Sequence, residues 1–346
     1  MRFFGIAGVL TVGLTILGQA AFGFDIEDQI NYPARVDGSV LRIISTADQS
    51  AFEPIILAFQ ELHPDISVDY TITGTSDLMK AIYEEEAVFD LAISSAMDLQ
   101  TKLANDGFAQ SYRSEATDAH PDWAKWRNQL FAFTQEPAVL VLSAKFFTLD
   151  TAPTTRDELI ILLREDPERF RGKIGTYDVR SSGFGYLMAT QDSRNGETFW
   201  RLAEVMGRLD ARLYCCSGDM IRDVASGDLA LAYNVLGSYA ASLAEVTDDF
   251  LIVELRDYVN VMLRTALIPK SAENEGAAHS MIDFLIGLKD RPILMAQSGL
   301  PAINDAELQA NNALRPIRFG PGLLVFLDRL KRQRFLGSWE SSITQD

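Results

Sequence analysis

Leu41-Arg42-Ile43-Ile44-Ser45-Thr46 is the stretch on which the fold turns. It is a short apolar, β-branched run closed by two hydroxylic residues, which predicts a buried strand ending in a turn. Phe52, Ile55, Ile56, Phe59 and Leu62 follow at helical spacing, with Asp48 or Ser50 placed as N-cap and His63-Pro64 as the stop. Residues 66–73 alternate as a strand, 76–86 read as a helix and 89–93 as another buried strand. The order β-α-β-α-β predicts a parallel sheet with helices on both faces. Sheets of that kind bind ligands beyond the carboxyl ends of their strands.

Upstream, Arg2 precedes an apolar run over 3–17 and the small residues Ala20, Ala21 and Gly23. This is the order of a secretory signal over 1–23, with cleavage expected after Gly23 and export to the periplasm. No cysteine near that point offers a lipid attachment site. Downstream, a long β run over 131–147 has the length to cross between domains. A second α/β unit follows, with a helix over 155–169, a strand over 173–179, helices over 183–190 and 197–209, a strand over 212–215, a helix over 218–226 and a strand over 229–235. Strand-like segments at 251–255 and 260–269 precede mostly helical sequence (278–288, 292–298, 321–332) and a tail expected to fray at 341–345. A chain of 346 residues, 47% of them apolar, suggests about two domains, each with its own core.

The formal charge of −17 argues against a nucleic-acid partner or an anionic lipid surface. It does not fix the charge of a pocket, because short hydrogen bonds inside a cleft outweigh charges screened over about 8–10 Å. Catalysis lacks its parts: His63, His120 and His279 stand far apart without metal-ligand spacing, and no nucleophile elbow, phosphate loop or dinucleotide fingerprint occurs. No cofactor or resident metal is expected. The two cysteines, Cys215 and Cys216, are adjacent. In an oxidising compartment the alternatives are a strained vicinal disulfide or two small side chains at a strand end, with a regulatory or ligand-contacting role as a third.

Site candidates gather where strands end. Ser45, Thr46 and Asp48 follow the first strand, Ser76 opens the next helix and Ser94 and Ser95 follow the third strand. Strand-to-helix turns favour Ser and Thr in any case, and Asp48 also suits a cap. Arg180-Ser181-Ser182-Gly183 follows the 173–179 strand and opens a helix. Free amides, two hydroxyls and a guanidinium there suit a phosphate, sulfonate or carboxylate, with a surface pair to Asp178 or Asp192 as the competing role for Arg180. Gln135 and Glu136 in the crossing run, and Tyr233 and Asn234 at the end of the returning strand, are candidates for the hinge.

The segments Leu41 to Thr46, Phe59-Gln60-Glu61-Leu62-His63-Pro64-Asp65-Ile66-Ser67-Val68, Phe89-Asp90-Leu91 with Ser94-Ser95, Gly172-Lys173-Ile174-Gly175 and Ala232-Tyr233-Asn234 together resemble the extracellular solute-binding proteins of ABC importers, in the group of ferric-iron and sugar-phosphate binders. The resemblance spans most of residues 40–335. It implies an α/β fold of two doubly wound lobes joined by two crossing strands, the type 2 periplasmic binding protein arrangement, closing on a ligand by hinge motion. Lobe 1 is expected over 24–135 and 236–346, lobe 2 over 136–235. The partners implied are a small-molecule ligand, expected to be anionic, and an ABC permease in the inner membrane, with the chain monomeric. The alternatives are a ligand sensor for a membrane kinase or chemoreceptor, or a ferric-iron binder. Ferric binders of this group commonly place adjacent tyrosines on the metal, and no Tyr-Tyr pair occurs here.

Overall fold

The computed structural model describes residues 23–345, so the export signal expected over 1–23 lies outside the described residues except for Gly23. Strands β1 (Asp28–Tyr32), β2 (Ser39–Ser45), β3 (Ile66–Ile72) and β4 (Leu91–Ser94) build the first lobe. β5 (Lys125–Trp126) and β6 (Leu130–Ser143) lead out of it. β7 (Ile174–Tyr177), β8 (Arg212–Tyr214) and β9 (Leu231–Leu236) build the second lobe. β10 (Phe250–Val253), β11 (Val259–Leu267) and β12 (Leu314–Pro316) complete the set. The strands hydrogen-bond in the order β1-β3-β2-β4-β11-β6-β9-β7-β8, with β5 and β10 on β6 and β12 on β11.

The opening strand behaves as a parallel strand covered on both faces should: Leu41, Ile43 and Ile44 are all fully buried, and β2 pairs in parallel with both β3 and β4. Helix Gln49–Leu62 turns Phe52, Ile55, Ile56 and Phe59 into the first core, and its last turn is closed by His63 N–H donating to the Phe59 carbonyl. The second lobe repeats the plan, with β7 parallel to β8 and β9.

The lobes share one continuous sheet because β6 belongs to both. Its first half, Phe131 to Pro137, pairs with β11, and its second half, Ala138 to Leu142, pairs with β9. The chain returns from β10, which pairs with residues 140–143 of β6, into β11. These are the two crossing strands.

The structure corrects several boundaries. The helix expected over 155–169 is broken into Arg156–Glu165 and Pro167–Phe170, because a residue preceding proline is driven out of the helical region. The lobe boundaries are also different. Residues 236–346 do not all return to lobe 1: β10 stays on lobe 2, and helix Arg329–Ile343 buries Phe335, Trp339 and Ile343 in the lobe 2 core. The chain therefore crosses a third time, after β12. Those three side chains recur every four residues, so the segment expected to fray at 341–345 is helical as far as Ile343. The polar lead conceals β1, an antiparallel edge strand on β3.

Candidate ligand site

The parallel strands of both lobes point their carboxyl ends at one small cavity of about 100 Å³ between the lobes. Lobe 1 contributes Glu27, Thr46, Asp48, Thr73, Thr75 and Ser95, and lobe 2 contributes Tyr177, Ser182, Phe184, Cys215, Cys216 and Tyr239. A larger depression of about 840 Å³ lies beside the crossing strands, against Gln135, Pro137 and Val139. The smaller cavity is the better ligand site, because it lies where the strand ends and helix starts of the two lobes converge.

The lobes are closed on each other. Thr75 Oγ1 accepts from the amides of Gly183 (2.9 Å) and Phe184 (3.3 Å), Ser76 Oγ donates to the Ser181 carbonyl (2.7 Å), and the Asp48 amide donates to Tyr239 Oη (3.2 Å). Gly183 is required for this approach. A Cβ there would stand 2.8 Å from Thr75 Oγ1 and 2.9 Å from a Leu99 methyl. Gly183→Ala is therefore expected to raise the cost of closure by about 1–3 kcal/mol, weakening ligand binding roughly 5- to 150-fold. Titration calorimetry checks the affinity; an unchanged value would show that this contact is absent from the liganded state.

Of the residues singled out from the sequence, Thr46, Asp48, Ser95 and Ser182 line the cavity, as do Cys215 and Cys216. Ser76, Ser181 and Gly183 form the seam between the lobes instead. Ser45 and Ser94 are buried behind the wall, where Ser45 Oγ accepts from Ala47 N–H and Tyr70 Oη–H, and Ser94 Oγ accepts from Ala96 N–H. The Cys215 and Cys216 sulfurs are 2.6 Å apart as two free thiols, farther than the about 2.05 Å of a disulfide.

Five candidates have other work. Arg180 lies outside the cavity, half-exposed, with Nε 2.8 Å and Nη2 2.6 Å from the Asp178 carboxylate, which it holds below its ordinary pKa. Glu136 is fully buried at the crossing strands, where Arg264 Nε (2.9 Å) and Nη2 (3.1 Å) donate to it. Tyr233 and Asn234 face the interior of lobe 2. Both donate to the buried carboxylate of Asp192, at 2.8 and 2.7 Å, while Arg156 Nε donates to Tyr233 Oη at 2.6 Å. Gln135, for its part, is tied to Glu307 and the Asn304 amide beside the larger depression.

The charge of the cavity differs from the expectation. Among the described residues no lysine or arginine lines it. Glu27 has its pKa raised first by burial and then by Asp48, Asp77 and Asp219, all carboxylates. Asp48 is raised by burial, offset in part by Arg264 and Arg222. Both cations are already spoken for, Arg264 by Glu136 and Arg222 by Asp219. Glu27 and Asp48 are thus the charges of the wall without a paired cation. Glu27 was hidden in the polar lead, and Tyr239 stands two residues into the helix after β9.

Two α/β lobes, two crossing strands and a polar cavity at the converging strand ends define a hinge-closing binding protein. The chain belongs to the family described as bacterial extracellular solute-binding protein, whose profile matches residues 41–299. Members are binding proteins of transport, not enzymes, and act outside the cytoplasm. Among solved structures, the substrate binding protein of the ABC transporter from Agrobacterium tumefaciens is 34% identical, with a TM-score of 0.86, covering 91% of this chain and 98% of that one. AfuA from Actinobacillus pleuropneumoniae, with fructose-6-phosphate bound, is 16% identical (TM-score 0.70, 89% and 99% covered), and iron-bound HitA from Pseudomonas aeruginosa is 17% identical (0.68, 88% and 99%). These two share the fold. No curated protein sequence matches.

Proposed function

We propose that this chain is the periplasmic substrate-binding component of an ABC importer, that it captures a small solute carrying positive charge, and that the closed form delivers it to a membrane permease. The importer role is supported by family membership and by the Agrobacterium relative, a substrate binding protein of an ABC transporter. The apolar run over 3–17 supports export through a cleaved signal.

The charge of the solute is carried by one observation: Glu27 and Asp48 face the cavity with no cation paired to either. The anion reading depended on Arg180 and on the amides opening helix Gly183–Asn195. Asp178 holds the first and Thr75 the second. Aromatic faces at Tyr177, Phe184 and Tyr239 also suit a cation. The volume, about 100 Å³ against the roughly 300–1,000 Å³ of drug-sized pockets, supports a ligand of few atoms.

A thermal-shift screen of the mature protein against small amines, divalent metals, phosphorylated sugars and organic acids tests this. A ligand present at 100 times its dissociation constant adds about 2.7 kcal/mol of stability. A cation is expected to give the shift. Asp48→Asn and Glu27→Gln are each expected to weaken it by about 1.5–3 kcal/mol, or roughly 10- to 150-fold. A shift from an anion that survives both substitutions would overturn the charge assignment and leave the fold assignment standing.

A further inference from the structure

Cys215 and Cys216 close strand β8, and Cys216 is the N-cap of helix Ser217–Ser226. Asp219 sits in the first turn of that helix. The two sulfurs and a carboxylate oxygen of Asp219 all lie within 4.8 Å of one another, a set that three nearby residues of one turn hold together without any lobe movement. Both cysteines line the cavity between the lobes, Cys215 exposed and Cys216 half-buried. Arg222 holds only the Oδ1 oxygen of Asp219. Across the cavity stands Glu27, on the other lobe.

The geometry points to a thiophilic divalent cation of the zinc and cadmium kind as the solute, held by Cys215 Sγ, Cys216 Sγ and the Asp219 carboxylate on lobe 2, with Glu27 and Asp48 drawing lobe 1 down onto it. This rests on the cation reading above and names its chemical class. Two sulfur donors select against the hard oxygen-seeking cations, calcium, magnesium and ferric iron, and mixed sulfur and oxygen sets suit a closed-shell ion of intermediate softness. Binding replaces two S–H bonds with two metal–sulfur bonds and releases two protons to solvent, with no change of oxidation state. Metal–sulfur bonds of about 2.3 Å at a tetrahedral angle need the sulfurs about 3.8 Å apart. From 2.6 Å they must part by about 1 Å, which rotation about the side-chain bonds supplies. The same pair closes to a disulfide on oxidation, so binding is confined to the reduced protein.

Titration of the reduced mature protein with cadmium tests the assignment, because cadmium thiolates absorb in the ultraviolet and cadmium carboxylates do not. The expected result is a sulfur-to-metal absorption band that saturates at one equivalent, release of protons, and a rise in the melting temperature. The band and the saturable binding are lost in C215S/C216S and in the oxidised wild-type protein, and binding is weakened in Asp219→Asn with the band retained. Should the double serine variant fail to fold by circular dichroism, the oxidised protein and Asp219→Asn carry the test. No band, or binding that the serine variant retains in full, overturns the thiol site. If small amines then still bind and require Glu27 and Asp48, the cation reading stands without the thiols; if neither amines nor metals bind, both fall.

Discussion

Glu136→Ala is expected to lower the free energy of unfolding by about 3–5 kcal/mol, the cost of breaking a buried ion pair from one side. Glu136 and Arg264 are both fully buried where the two crossing strands meet, and the register places Thr134 opposite Arg264 and Met262 opposite Glu136. Thr134 Oγ1 also donates to Glu136 (2.7 Å), and so does Ser238 Oγ. Arginine cannot shed its proton to relieve the loss, and Arg264 Nη1 already has no hydrogen-bond partner. Alanine at 136 therefore leaves a guanidinium buried without a countercharge. Ligand affinity is expected to fall as well, because Ser238 precedes Tyr239, the residue that accepts from the Asp48 amide. Urea unfolding followed by tryptophan fluorescence checks the first effect. The control is the double variant Glu136→Leu with Arg264→Met, which is expected to recover most of the loss, since apolar replacement of a whole buried pair is often neutral. A loss under about 1 kcal/mol in the single variant would mean that water reaches the pair.

The elements that were legible in the sequence are those whose cause is local. β2 and its helix were readable because burial on both faces leaves an unbroken apolar run, and because Phe52, Ile55, Ile56 and Phe59 repeat at the helical period. β1 was not readable: it lies at an edge with most of its residues exposed, so nothing in Asp28 to Tyr32 needs to be apolar. Glu27 was missed for the same reason, since its place on the cavity is set by pairing with β3, not by any motif. Arg180 shows the opposite balance. Its turn has the composition of an anion site, but Asp178 is only two residues away and reaches the guanidinium at lower cost than a ligand on the other lobe. Tyr233 and Asn234 were placed on the correct strand, but β9 is buried on both sides and alternation gives no sign of which side meets the cleft.

A similar balance of long-range burial sets the response to pH. Asp98 and His120 are almost completely buried, at 2% and 3% exposure. Asp98 is pushed up to about 7, by burial first, against the Leu99 amide that donates to it and the charge of Arg332. His120 is pushed down to about 4 by burial, although its Nε2 donates to the Ala132 carbonyl at 2.8 Å. The folded protein thus keeps the Asp98 proton that the unfolded chain gives up above its ordinary value of 3.8. That stability is lost as pH rises from about 4 to about 7, by about 4 kcal/mol in all at about 1.4 kcal/mol per unit. His120 acts in the other direction. The unfolded chain takes up its proton below the ordinary 6.5 and the folded protein does not, so stability grows by about 3 kcal/mol as pH rises from about 4 to 6.5. Between these limits the two contributions cancel. Asp98→Asn is therefore expected to become more stable with rising pH, relative to wild type, by about 1.4 kcal/mol per unit over that window, and His120→Gln less stable by the same slope. The remaining carboxylates are common to all three proteins and drop out of the difference. Urea midpoints measured at three pH values inside the window give the slopes. Parallel curves for wild type and Asp98→Asn would mean that Asp98 is ionised in the folded protein, against the burial that raises its pKa.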